Sequence, residues 1–178
     1  MSRGAVYGQG LYALAKDEGL EEKILEELAV LEEAFENQPE FLKLLASHNI
    51  PRQERSEILE QSFRGKVQPY VLNFLKLLTD KDCIRGFSES CKSYREQYNA
   101  EKGILEVRVL SAIELDAEQK LRLTDKLAAL SGKQIHLLCR VDPTVLGGIL
   151  VRYDGCQVDG TVKGRLDMMA KTLKNTVI

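Results

Sequence analysis

The period of the apolar residues changes once along this chain, at Gly103, and that single change restricts the folds open to it. Before Gly103 apolar residues recur every three or four positions. Leu20, Ile24, Leu28, Leu31 and Phe35 form one stripe of a helix, with Glu22, Glu26, Glu33 and Glu36 on the opposite side. An earlier helix carries Tyr7, Leu11 and Leu14 as its stripe. Pro39 opens a short helix ending near His48, and Pro51 opens another that stops at Gly65. A fifth segment starts near Gln68-Pro69 and runs to about Asp80. The sixth buries Ile84, Phe87, Cys91, Tyr94 and Tyr98 and ends at Gly103. Short connections between these pieces predict an antiparallel packed bundle.

Beyond Gly103 the period is two. Leu105, Val107 and Val109 alternate with Glu106 and Arg108, as in a half-buried strand. Asp116 caps the next helix, and Gln119 completes a capping box. That helix presents Leu123, Leu127 and Leu130 and terminates at Gly132. Ile135, Leu137, Cys139 and Val141 make a second strand. Gly147-Gly148 opens a third, Ile149 to Tyr153, and Asp154-Gly155 is a two-residue hairpin signal. A capped helix begins at Val162. The expected fold is therefore α+β: a six-helix bundle over residues 1–103, then a small β-α-β-β-β-α domain over residues 104–178.

Composition excludes several functions. Residues 1–103 carry 14 basic and 18 acidic groups and residues 104–178 carry 11 and 9, so no basic patch of the kind that phosphate contacts demand is visible. The stretch from Asp17 to Glu36 sets nine acidic residues against Lys23 alone. No apolar run approaches the roughly 18 residues that span a bilayer, and the N-terminus has neither the apolar core of a signal peptide nor the Arg-rich pattern of a transit peptide. Cys83, Cys91, Cys139 and Cys156 form no Cys-x-x-Cys pair and have no neighbouring histidine, which argues against zinc and against a disulfide scaffold. They read as ordinary thiols in a reducing, cytosol-facing compartment.

Each sign of chemistry has a plainer reading. Gly147-Gly148 precedes a strand, not a helix, so a bulge or a close backbone approach explains it better than a phosphate loop. His48 and His136 lie far apart in sequence, without a carboxylate at ligand spacing, so no metal or cofactor is expected. In Asp159-Gly160-Thr161 either side-chain oxygen can cap the helix that follows. Lys163 and Arg165 then fall in a first turn, where positive charge opposes the helix dipole, and call for a partner carboxylate or an ion pair with Asp159 or Asp167. Helix five has two apolar stripes, Val71-Leu75-Leu78 and Tyr70-Phe74-Leu77, so it is central in the bundle or covered by another molecule. Gly4 and Gly8 leave a bare side on the first helix, open to close approach by another helix.

The run from Pro143 through Asp167 resembles the C-terminal signature of F-type ATP synthase delta subunits, the family of the mitochondrial oligomycin-sensitivity-conferring protein. That pattern is Pro, Leu-Gly-Gly with apolar residues, then Asp-Gly-Ser-Val-Arg-Gly-Arg-Leu-Glu; this chain has Thr161 for Ser and Lys163 for Arg. Tyr7, Leu11, Tyr12 and Ala15 fit the family's opening pattern, with Gly8 and Gly10 in place of alanines. Asn73 to Leu78 match its Asn-Phe-Leu-Lys/Arg-Leu-Leu. The Asn-Gly-Arg that commonly follows is replaced by Lys81-Asp82-Cys83. The resemblance implies a non-catalytic stator. The bundle binds the N-terminal helix of the catalytic head's α subunit through helices one and five, and the second domain binds the peripheral stalk's b subunits. The implied partner-binding residues are Tyr7, Leu11, Asn73, Leu77 and Arg165. It also implies a peripheral position on an energy-transducing membrane, through partner subunits only. A helical regulatory or RNA-associated adaptor is the alternative, and an enzyme using a cysteine or Asp159 lacks a paired base.

Overall fold

The computed structural model describes residues 3–145, 147–153 and 155–166. Helices come first: α1 Arg3–Asp17, α2 Glu21–Asn37, α3 Pro39–Leu45, α4 Arg52–Phe63, α5 Pro69–Asp80 and α6 Phe87–Lys102, with a 3-10 turn at Ile84–Gly86 before α6. Then come β1 Ile104–Ser111, α7 Ala117–Ser131, β2 Gln134–Val141, β3 Ile149–Tyr153 and β4 Cys156–Asp159. Residues 162–166 make a further helical turn. The fold is the expected α+β arrangement. Two compact units divide it, Met1–Tyr98 and Asn99–Ile178. Secondary structure changes at Gly103, whose φ of +65° suits a helix stop, but the units part slightly earlier, within the last turn of α6.

The bundle is built on α2 and α5. Ile24, Leu28, Leu31 and Phe35 are all buried, as their spacing predicts. Phe35 stands 5.0 Å from Phe87, 5.9 Å from Phe41 and 6.2 Å from Phe63, joining four segments through ring edges and faces. On α5, Val71, Leu72, Phe74, Leu75 and Leu78 are buried, so the helix is central. Its N-terminus is tied to α2, where Glu27 Oε2 accepts from the Gln68 amide at 2.7 Å. A carboxylate there also complements the helix dipole.

Close approach explains Gly4 and Gly8 of α1. A Cβ on Gly8 would sit 2.2 Å from Ser90 O, and one on Gly4 would sit 2.8 Å from Gly86 O. Ser90 Oγ donates toward Gly4 O at 2.8 Å. The bare side is thus filled by α6 of the same bundle, not left for another molecule. This rotates α1 relative to the expected stripe: Gly4, Gly8, Leu11, Tyr12 and Ala15 face the core, while Leu14 is 42% exposed.

The short helix α3 ends at Leu45, three residues before the expected His48, where its last carbonyl accepts from Arg55. Arg55 Nη1 donates to Leu45 O at 2.9 Å, and its side chain is buried although α4 presented it as one more charged residue. Helix ends carry such unsatisfied carbonyls as a rule, so a guanidinium here is a C-cap supplied by a neighbour.

The second unit is a four-stranded sheet in the order β2-β1-β3-β4, with β1 parallel to β2 and antiparallel to β3. A crossover through α7 joins β1 to β2, as parallel pairing requires. Asp116 Oδ1 accepts from the Gln119 amide at 2.7 Å and the Asp116 amide donates to Gln119 Oε1, which completes the expected capping box. Leu105, Val107, Val109 and Val151 form the core under Leu123 and Leu127. Leu130 departs from the expectation and is 85% exposed. It sits at the last turn of α7, past the part that faces the sheet. Cys139 and Val141 are exposed for the same kind of reason, at the free edge of β2.

Candidate functional site

Both family-like motifs sort into residues that the fold explains and residues that it does not. In Asn73-Phe74-Leu75-Lys76-Leu77-Leu78 the core takes Phe74, Leu75 and Leu78. Lys76 reaches Glu60 on α4 at 2.6 Å, and that bond and charge hold the Glu60 carboxyl below its usual range. Asn73 and Leu77 remain, both pointing outward, with Leu77 41% exposed. Folding assigns them no task.

Two contacts near the ends of α1 relate it to the neighbourhood of α5. The start of α1 packs on the 3-10 turn that follows α5, with Gly86 O against Gly4. At the other end, the Tyr70 hydroxyl at the start of α5 meets the Glu18 carboxylate just past α1. Burial first, and then that carboxylate, push the Tyr70 pKa up. One end of α1 therefore meets the turn that precedes α6, and Glu18, just past its other end, meets the start of α5. On these two helices Tyr7 and Tyr70 are half-buried, and Val6 (54%), Leu14 and Leu77 are exposed. Gly10 adds an open stretch, with nothing within 4 Å of where its Cβ would be. Asn73 and Leu77 on α5, with Val6 and Leu14 on α1, are thus outward positions that the bundle core leaves over.

Of the predicted partner residues, Asn73 and Leu77 are exposed on α5 and Tyr7 is half-buried on α1. Leu11 is 4% exposed and belongs to the core, because α1 turns that side toward the bundle. Val6 and Leu14 are exposed apolar residues of α1 that the predicted partner set leaves out, although the spacing sets Leu14 in one stripe with Leu11.

The C-terminal motif sorts in the same way. A Cβ on Gly148 (φ +79°) would sit 2.4 Å from Gly160 O, so only glycine lets these backbones meet. The Gly160 amide donates to Ile149 O and the Val162 amide to Gly147 O, both at 3.0 Å. Asp159 Oδ1 accepts from the Thr161 amide at 2.9 Å, and Thr161 Oγ1 accepts from the Gly164 amide at 3.0 Å. Hydrogen bonds from Thr161 hold the Asp159 carboxyl below its usual range. Thr161 is a cap, and Asp159 supports it. Lys163 and Arg165 are exposed and make no ion pair among the described residues. Asp167, the other expected partner, lies outside those residues.

No group of three or more His, Cys, Asp or Glu side chains could hold a metal ion among the described residues. His48 lies 3.8 Å from Asp82 and His136 is exposed on β2. All four cysteines are free thiols. No helix among the described residues is long and apolar enough to cross a membrane. What the residues do define is a class of two-unit α+β protein, a helical bundle and a sheet unit cored separately, whose unexplained surface residues are apolar on one and cationic on the other.

Comparison with known proteins gives that class its family. The model of the ATP synthase delta (OSCP) subunit family matches residues 4–173. ATP synthase subunit delta of Alkaliphilus metalliredigens is 34% identical over 97% of this chain and 96% of its own. The subunit delta of Clostridioides difficile is 31% identical over 96% and 95%. Among solved structures, a chain of the Toxoplasma gondii mitochondrial ATP synthase hexamer shares the fold, with a TM-score of 0.78 at 18% identity over 97% of this chain and 98% of its own. The chain belongs to the ATP synthase delta (OSCP) subunit family. It is a stator subunit of a rotary ATP synthase, linking the catalytic head to the peripheral stalk.

Proposed function

We propose that this chain works without catalysing any reaction, by a division of labour between its two units. The bundle holds the catalytic head through the N-terminal helix of an α subunit, and the sheet unit holds the b subunits of the peripheral stalk. The observation that carries this reading is the pair Asn73 and Leu77. They are the two positions of the Asn-Phe-Leu-Lys-Leu-Leu segment left outward after folding has used the rest. On this reading α1 and α5 flank a groove, and an amphipathic helix laid in it would cover Leu77, Val6 and Leu14 and meet Asn73 at the rim.

The mechanical logic follows from rotation. Proton flow turns the central stalk, and the head turns with it unless something resists the torque. A two-ended adaptor resists if both junctions outlast many turnovers, which demands slow dissociation. Holding at two places raises the effective concentration at each, so neither contact alone has to be very tight. Arg165, exposed beside Lys163, is proposed as a contact of the stalk-side unit, where a partner carboxylate would offset two cations in a first helical turn. The subunit would sit peripherally, held by its partners, on the cytoplasmic face of a bacterial plasma membrane or the stromal face of a thylakoid membrane.

The test is reconstitution. Membranes carrying the synthase are stripped of head and delta subunit, then given back the head with or without this chain. Restored head binding and ATP-driven proton pumping only when the chain is present supports the reading. Equal recovery without it contradicts the reading.

A further inference from the structure

We propose that the face of the sheet turned away from α7 is the stalk-side docking surface, and that it takes an acidic amphipathic helix of the peripheral stalk. The proposal rests on the stator reading and names the surface and the chemistry of its partner. The register of the strands puts the relevant residues side by side. Arg108 on β1 lies directly opposite Arg152 on β3 and beside Leu138 on β2. One step along, Leu110 lies between Leu150 and Arg140. Side chains alternate along a strand, so these residues share the face opposite Leu105, Val107 and Val109, which pack under α7.

Among the described residues that face is uncovered. Arg108, Arg140, Arg152, His136 and Leu138 are exposed, and Leu110 and Leu150 are only half-buried. Two like charges directly opposite in an antiparallel pair disfavour the sheet. The fold holds them there nevertheless. Arg108 donates through Nε and Nη2 to Glu106 Oε1 at 3.1 and 3.0 Å, and Arg152 Nε donates to Gln157 Oε1 at 2.9 Å. Both guanidiniums are fixed against the sheet with donors to spare. Arginine forks of this kind match carboxylates in bidentate geometry.

Charge and apolarity together select the occupant. Three guanidiniums interleave with Leu110, Leu138 and Leu150, which suits a helix that alternates carboxylates with apolar residues. A polyanion such as RNA or a lipid surface is a poorer match. Glu106 stands within the face and Asp159 at its β4 edge, opposite Leu150. The unit as a whole is only weakly basic.

The test uses the full chain and the soluble domain of the b subunits from the same synthase. Arg152→Gln and Arg108→Gln/Arg152→Gln are compared with wild type by calorimetry, with thermal melts alongside. Both variants should melt as wild type does, since the single variant removes one of two opposed charges and the double variant removes both. The double variant should bind b about tenfold more weakly, or worse, at moderate salt, while its binding to the α-subunit N-terminal peptide stays unchanged. Wild-type binding to b should weaken as salt rises, and that dependence should flatten in the double variant. Wild-type affinity for b in the double variant overturns the assignment of the face and leaves the stator reading standing. Failure of the wild-type chain itself to bind b overturns the stalk-side reading together with this one. Arginine-dependent retention on vesicles rich in anionic lipid, or arginine-dependent self-association, without an effect on b, overturns the acidic-helix proposal.

Discussion

The buried Arg55 guanidinium stands 3.2 Å from the Asp82 carboxylate, and through that contact three helix ends are held together. The same Nη1 caps α3 at Leu45 O, and Arg52 approaches the other Asp82 oxygen at 3.5 Å. Asp82 takes a φ of +52°, the left-handed region, at the place where the resembling family has the glycine of Asn-Gly-Arg. An aspartate tolerates that conformation better than most residues do. Here its carboxylate has cations to meet.

Removing this contact should cost stability in a way that depends on pH. Arg55→Ala leaves the Leu45 carbonyl and Asp82 without their donor, and is expected to lower stability by about 2–4 kcal/mol. The hydrogen bond from Arg55, followed by the charges of His48, Arg55 and Arg52, holds the Asp82 pKa below 3.8. A depressed carboxylate stabilises the fold above its unfolded pKa, and that contribution is lost as pH falls through the folded value. Asp82→Asn should therefore be less stable than wild type by a constant margin at neutral pH, with the margin closing below about pH 4. Denaturant melts across pH check both statements. A margin that persists unchanged into strong acid would contradict the role given to Asp82.

The two glycines of α1 at positions 8 and 10 should respond in opposite directions to one substitution. Gly8→Ala puts a methyl group into the Ser90 carbonyl of α6, and overpacking of this kind costs about 1–3 kcal/mol. Gly10→Ala meets open space, so it should gain up to about 1 kcal/mol of helix propensity. Thermal melts of the two variants give the comparison. Equal shifts of the same sign would mean that α1 does not lie on α6 as described.

Much of this architecture was legible in the sequence, because it is written as period. The stripe of α2 and the capping box of Asp116 and Gln119 are local patterns, and both formed as read. The misreadings came from facts that no single segment carries. Leu11 and Leu14 look alike on a helical wheel, and only the approach of α6 to Gly8 decides that Leu11 goes in and Leu14 out. Arg55 looks like one more charge on a polar helix, because the carbonyl that it caps is ten residues earlier and the carboxylate that it meets is on another turn. The opposed pair Arg108 and Arg152 depends on strand register, which periodicity alone leaves open.

Thr161 should behave as a helix cap. Its hydroxyl accepts from the Gly164 amide, so Thr161→Ser should be nearly neutral and Thr161→Ala should cost about 1 kcal/mol. Chemical denaturation distinguishes the two. A Thr161→Ser variant as damaged as Thr161→Ala would show that the methyl group, not the hydroxyl, matters there.

Thiol reactivity should follow burial. Cys139 and Cys156 are exposed, Cys83 is intermediate, and Cys91 is buried with its thiol pKa pushed up, chiefly by that burial. In the native chain a thiol reagent should modify Cys139 and Cys156 rapidly, Cys83 more slowly and Cys91 only on unfolding. Mass spectrometry of the timed reaction reads the order directly. Early modification of Cys91 would place α6 differently from its position here.

The central claim is that the α1–α5 groove receives a helix from the catalytic head, and two leucines on one helix separate it from mere core packing. Leu75 is fully buried and Leu77 is 41% exposed. Leu75→Ala should lower stability by about 2–5 kcal/mol through loss of core. Leu77→Ala should leave the melt within about 0.5 kcal/mol of wild type, yet weaken binding of the α-subunit N-terminal peptide by about 2 kcal/mol or more. Calorimetric titration of the full chain and the Leu77→Ala variant with that peptide, alongside their melts, is the most direct measurement. Strong loss of binding with an unchanged melt is the predicted result. Wild-type affinity in Leu77→Ala, or unfolding of the bundle by that change, would contradict the groove as the head-binding site.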